Sequence, residues 1–282
     1  MKKVIFCGFG ELGRRCLETL VSNNYEIVYV LTHKEINGSG VDSFARDNSI
    51  RFSYNDLRKC SDELLSEIMK CQADILVSVN YRYILEKTFY SLFDNTVNLH
   101  GSLLPKYRGR TPHVWSIING EKYGGVTAHI IDDVVDAGDI IQQIEIKIED
   151  DDTGATMLKK YEEVYPKLLL DALMHIEQGK PLRKQDENLA SYFGKRISDM
   201  GYIDFYKEDV EVINFVRAQA KPYPGAYYFL SDGSRIVINK LEKVESETKF
   251  DRKYPIGVIF EHDNHYYVRC KCGYLIIVDY EI

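Results

Sequence analysis

The stretch Val4-Ile5-Phe6-Cys7-Gly8-Phe9-Gly10-Glu11-Leu12-Gly13 decides the fold. Its first four residues are apolar without alternation, the pattern of a strand covered on both faces. A glycine-rich turn follows, and residues 11–22 carry a helical period. Strand, tight turn and helix in that order begin a parallel α/β sheet. The pattern continues with expected strands at 25–32, 73–80 and 96–99 and a helix at 61–71. A short helix at 112–119, strands at 126–131 and 140–148, and a long amphipathic helix from 153 to 178 complete it, with Asp152 or Thr153 as the cap. The fold class is therefore α/β, a Rossmann-like, mostly parallel sheet.

Gly8, Gly10 and Gly13 complete a G-x-G-x-x-G turn, and Glu35 stands near the end of the second strand, where a ribose-binding acid would sit. An NAD-dependent enzyme fits that reading. A first βα turn also favours glycines for steric reasons alone, and the helix behind it can meet a phosphate of any origin.

The character of the chain changes near Gly179. Residues 180–207 are polar and irregular, and a helix at 210–218 is stopped by Lys221-Pro222-Tyr223-Pro224-Gly225. Five short strands follow, at 226–230, 235–241, 257–261, 266–271 and 274–280, with turns at Ser231-Asp232-Gly233-Ser234 and His262-Asp263-Asn264. That content suggests a small OB-like β-barrel. The expected organisation is a domain over 1–180, a linker over 181–207 and a C-terminal domain over 208–282.

The 282 residues carry a net charge of −7, which disfavours nucleic-acid and anionic-membrane partners. No apolar run approaches the roughly 20 residues that span a bilayer. Met1-Lys2-Lys3 leads straight into the first strand, unlike a signal peptide, so a cytoplasmic location is expected. The six cysteines, Cys7, Cys16, Cys60, Cys71, Cys270 and Cys272, lack zinc-ligand spacing and read as reduced packing thiols. No metal is expected.

The chemistry concentrates in Asn98-Leu99-His100-Gly101-Ser102-Leu103-Leu104-Pro105 and, further on, Asp136-Ala137-Gly138-Asp139. Asn98 and His100 are two apart, so on an extended chain they share a face. An amide can donate to an oxyanion, an imidazole with an ordinary pKa of about 6.5 can relay a proton, and a carboxylate can orient it. Ser102 lacks the G-x-S-x-G elbow of hydrolases, which leaves direct attack by a substrate nucleophile on an acyl donor. His129 alternates with apolar residues and reads as structural.

These residues resemble the signature of the folate-dependent formyltransferases: Asn98-Leu99-His100, Ser102-Leu103-Leu104-Pro105 and Asp136-Ala137-Gly138. The resemblance implies transfer of a formyl group from 10-formyltetrahydrofolate to an amine, with Asn98, His100 and Asp136 as the catalytic trio. Members line a pterin pocket with backbone from two segments, here residues 81–85 and 132–135. That implies cofactor contacts at Tyr83, Leu85, Asp132, Asp133 and Val135, with Leu103 as an apolar wall.

Within the family the chain is most similar to the amino-sugar N-formyltransferases, such as the domain acting on UDP-4-amino-4-deoxy-L-arabinose. The likeness rests on Asn80-Tyr81-Arg82, residues 101–110, Phe193-Gly194-Lys195-Arg196 and Tyr223-Pro224-Gly225-Ala226. It implies a nucleotide-linked amino-deoxy sugar, dTDP-linked, as acceptor in O-antigen or other surface-glycan synthesis, and a homodimer. Methionyl-tRNA formylation is the alternative; residues 191–282 hold 13 Lys and Arg against 14 Asp and Glu, a poor platform for tRNA. A pyrophosphate needs guanidinium groups and backbone N–H donors, for which Arg82, Arg108 and the Gly10 turn are the candidates. Tyr107 and Trp115 could stack on a base or belong to the core, and Arg110 could be a solvated charge.

Overall fold

The computed structural model describes residues 1–35, 40–59, 61–245, 250 and 253–282. Cys60 lies outside the described residues. Two compact units are interleaved along the chain: residues 1–109, 125–146 and 160–192 form one, and 110–124, 147–159 and 193–282 the other.

The first unit is built on strands β1 (Lys3–Gly8), β2 (Glu26–Leu31), β3 (Phe52–Ser53), β4 (Ile75–Val79) and β5 (Asn95–His100). The two-residue strand β6 (Arg108–Gly109) comes next, and β7 (Tyr123–His129) and β8 (Ile140–Lys147) finish the sheet. Its order is β3-β2-β1-β4-β5-β7-β8. Strands β1 to β5 run parallel, and β5 pairs antiparallel with β7, so the sheet is mixed, as the mostly parallel reading allows. Val4, Ile5 and Phe6 are wholly buried, each worth about 1.5–3 kcal/mol of apolar burial. Every residue of β4 is buried too.

Helices α1 (Gly10–Ser22), α2 (Val41–Asp47), α3 (Asp62–Lys70), α4 (Lys87–Tyr90), α5 (Pro112–Ile118) and α6 (Gly154–Glu177) connect or follow these strands. Periodicity missed α2 and α4, which are too short to show a full amphipathic repeat. Strand order reverses between β1 and β4, which opens a crevice at the carboxyl ends of the strands. Asn98 and His100 lie at that end of β5.

After the two-residue β9 (Tyr192–Phe193), the second unit contains helix α7 (Asp209–Ala218). Strands β10 (Ala226–Phe229), β11 (Arg235–Lys243), β12 (Ile259–His262), β13 (His265–Cys270) and β14 (Gly273–Glu281) follow. They pair antiparallel in the order β10-β11-β14-β13-β12. Val212 and Val216 of α7 join Ile236, Ile238, Val268 and Leu275 of the sheet in one core. Among the described residues no helix is long and apolar enough to cross a membrane.

Candidate active site

The first unit brings the expected trio together and adds a fourth member. Antiparallel register sets Asn98 of β5 directly opposite His129 of β7, close enough for side chains to meet. Asn98 Nδ2 lies 3.0 Å from His129 Nε2. His129 Nδ1 lies 2.7 Å from the Ile130 carbonyl; a carbonyl only accepts, so Nδ1 holds the proton and Nε2 is free to accept from the amide. His129, read from sequence as structural, is thus an orienting neighbour of Asn98.

His100 is 7% exposed. Its Nε2 donates to the Tyr107 carbonyl at 2.8 Å, and its Nδ1 faces Asp136 Oδ2 at 3.4 Å. A proton arriving at Nδ1 would therefore sit against a carboxylate. The other carboxylate oxygen is 3.5 Å from His129 Nε2, and Gly109 N–H donates to Oδ2 at 2.9 Å. Burial alone would raise the Asp136 pKa, but the positive charge that the facing His100 and His129 rings carry when protonated, together with the Gly109 N–H, outweighs it and holds the carboxyl well below the usual carboxylate range.

The Asp136 loop is tightly drawn. Asp136 has φ +57°, a left-handed conformation that Asp tolerates better than most residues. A Cβ at position 138 would lie 1.8 Å from the Ile130 carbonyl oxygen, so that position requires glycine. The Ser102–Leu104 turn is stitched by Thr127 of β7, whose hydroxyl donates to the Ser102 carbonyl at 2.6 Å and accepts from Leu104 N–H at 3.2 Å. Leu103 is half-buried against Gly125, where a Cβ would clash with its side chain.

Asp133, in the second expected pterin segment, pairs with Lys87 Nζ at 2.7 Å and accepts a hydrogen bond from Tyr90, both on α4 just beyond the first segment. Residues 132–135 are exposed, Tyr83 is half-buried and Leu85 is buried. Tyr83 packs edge-on to His33, with ring centres 4.5 Å apart. Exposed Arg82 stacks its guanidinium 3.7 Å from the centre of the Phe9 ring.

Two expected anion contacts sit differently. Arg108 is fully buried, its guanidinium bound to Gln185, Glu187 and the Tyr192 hydroxyl. Internal partners satisfy it, so it is a tie within the unit rather than a free pyrophosphate hand. Gly10 N–H donates to Glu35 Oε1 at 3.1 Å, and the same oxygen accepts from Val41 N–H at 3.1 Å. The acid in the ribose-binding position instead caps the starts of α1 and α2, and places a carboxylate where a phosphate would sit. In the second unit half-buried Trp115 packs on Phe193 and donates to the Gly194 carbonyl.

Comparison with known proteins accounts for this arrangement. The formyl transferase family model matches residues 2–173, and the model of the formyl transferase C-terminal domain matches residues 196–282. A methionyl-tRNA formyltransferase of Caldanaerobacter subterraneus is 30% identical over 281 residues, covering 96% of this chain and 88% of the relative. Two solved structures share the fold. The sugar 3N-formyl transferase WlaRD, determined with dTDP and 5-N-formyl-THF, is 23% identical with TM-score 0.76, over 98% of this chain and 97% of that one. The N-formyltransferase of Helicobacter canadensis, in complex with folinic acid and dTDP-3-aminofucose, is 22% identical with TM-score 0.78 over the whole of both chains. The chain belongs to the formyltransferase family.

Proposed function

We propose that this enzyme moves a formyl group from 10-formyltetrahydrofolate to the amine of a nucleotide-linked amino-deoxy sugar, with Asn98, His100 and Asp136 as the acting groups. The observation that carries the reading is the convergence of an amide, two imidazoles and an ionised buried carboxylate at the carboxyl end of β5. The unprotonated amine attacks the formyl carbon, and its lone pair forms the new C–N bond while the carbonyl π electrons move to oxygen. Asn98 Nδ2 donates to that oxyanion, and His100, once it carries a proton held against Asp136, steadies it by its charge. The amine proton passes through water to the His100–Asp136 pair. Collapse of the intermediate breaks the bond to N10, which takes a proton and leaves as tetrahydrofolate.

Donor binding is assigned to backbone at Tyr83, Leu85, Asp132, Asp133 and Val135, beside Leu103. Arg82, an exposed residue beside the first strand's turn, is the favoured diphosphate contact. A dTDP carrier and a role in surface-glycan synthesis follow from the likeness to the amino-sugar branch, and the C-terminal sheet is read as its OB-like module. The nearly neutral balance of residues 191–282 supports a sugar over tRNA as acceptor, whereas the 30% identical relative is a tRNA enzyme. A panel of nucleotide-linked amino sugars and initiator tRNA, each incubated with 10-formyltetrahydrofolate, decides between them through tetrahydrofolate release. Turnover with tRNA alone would overturn the sugar assignment.

A further inference from the structure

Between the two family matches, the chain passes back over the first unit, and Gln185 there uses its whole side-chain amide. Nε2 donates to the Asp136 carbonyl and to the Gly138 carbonyl, both at 2.8 Å. Oε1 accepts from Arg108 Nε at 3.1 Å and from Nη2 at 2.7 Å. Two carbonyls on one side and a guanidinium on the other admit only one orientation of the amide, since the flipped form would oppose like with like at all four contacts. Arg108 cannot follow a moving partner, because it is fully buried and Glu187 also holds both ends of its fork. The neighbouring backbone is tied down in turn: Arg108 N–H donates to the Ser191 carbonyl at 2.8 Å, and Tyr107 N–H donates to Ser191 Oγ at 2.9 Å. The Tyr107 carbonyl accepts from His100 and the Gly109 N–H donates to Asp136. One short segment therefore fixes the backbone on both sides of the His100–Asp136 contact.

We infer that Gln185 is a positioning residue for the reaction proposed above: its amide, anchored by the buried Arg108, holds the left-handed Asp136 turn where the carboxylate meets His100 and His129. The inference rests on that reading of Asp136. Released from Gln185, the turn loses its hold on both carbonyls, and a displacement of the order of 1 Å at a reacting group costs about 10²-fold in rate.

Gln185 is only half-buried, so Gln185→Met, which matches its length without its hydrogen bonds, keeps a foldable chain. The expected result is a fall in kcat of at least about tenfold with KM held within about twofold, since the change misplaces a group rather than a binding contact. Gln185→Glu retains an acceptor for Arg108 but turns an oxygen toward the two carbonyls, and it is expected to lose as much. Near-wild-type kcat in the Glu variant would show that the side chain merely serves Arg108, and would overturn the inference. A second readout needs no substrate: the ring 15N signals of His100 in the ligand-free protein are expected to move in Gln185→Met. Unchanged ring signals would overturn the inference even if the wild type formylated none of the sugars, an outcome that would sink only the proposed function.

Discussion

His100 in the first unit and His113 in the second are almost equally buried, at 7% and 9% exposed, yet their surroundings prepare them for opposite duties. His113 meets a neutral partner, the Tyr223 hydroxyl at 2.8 Å, and burial pushes its pKa down to about 4. It is a neutral packing residue at physiological pH. His100 meets a carboxylate that is itself held ionised, beside an amide that is only half-buried. Burial is common to both rings; the charge of the partner is not.

The comparison breaks most sharply on activity. His100→Ala is expected to lower formyl transfer by about 10²–10⁴-fold with a near-native melting temperature, whereas His113→Phe should leave kcat within about twofold of wild type. Equal losses in the two variants, measured as tetrahydrofolate release, would remove the distinction. Asn98→Ala is expected to cost about 10²–10³-fold in kcat if the amide serves the oxyanion; a rise in KM alone would mark it as a binding contact instead.

The next effect is on stability. The folded pKa of His113, about 4, lies below the unfolded value of about 6.5, so its neutral form stabilises the fold fully above the unfolded value and loses that contribution as pH falls toward the folded one. Denaturant titrations should show about 2 kcal/mol lost between pH 7 and pH 5 from this residue, and the loss should vanish in His113→Phe. Asp136 has the opposite window. Its depressed folded pKa gives a contribution present above the unfolded value of about 3.9, lost only as pH falls below it toward the folded value. The smallest effect belongs to Glu35→Gln, which weakens the charge at two helix starts and should cost about 0.3–1 kcal/mol. A lower KM for the nucleotide sugar in that variant would show that the Gly10 turn also receives substrate phosphate.

Much of this was legible in the linear chain. Unbroken apolar runs such as Val4–Cys7 identify strands of a doubly covered sheet because a strand buried on both faces has no polar side to show. The Asn98–His100 step reads as one face of a strand, and the short motifs around it carry the family.

Tertiary structure alone decided the rest. His129 became an orienting partner of Asn98 only through the antiparallel register of β5 and β7, which period-two alternation within β7 does not encode. Arg108 looked like a phosphate hand beside the motif and proved to be a buried tie, because its partners Gln185, Glu187 and Tyr192 lie far along the chain. Glu35 occupies the ribose-acid position of a dinucleotide site and spends its charge on two helix N-termini. Local sequence determines which chemical groups are present and which way they face along a strand; long-range pairing determines which of them meet and remain unsatisfied enough to act on a substrate.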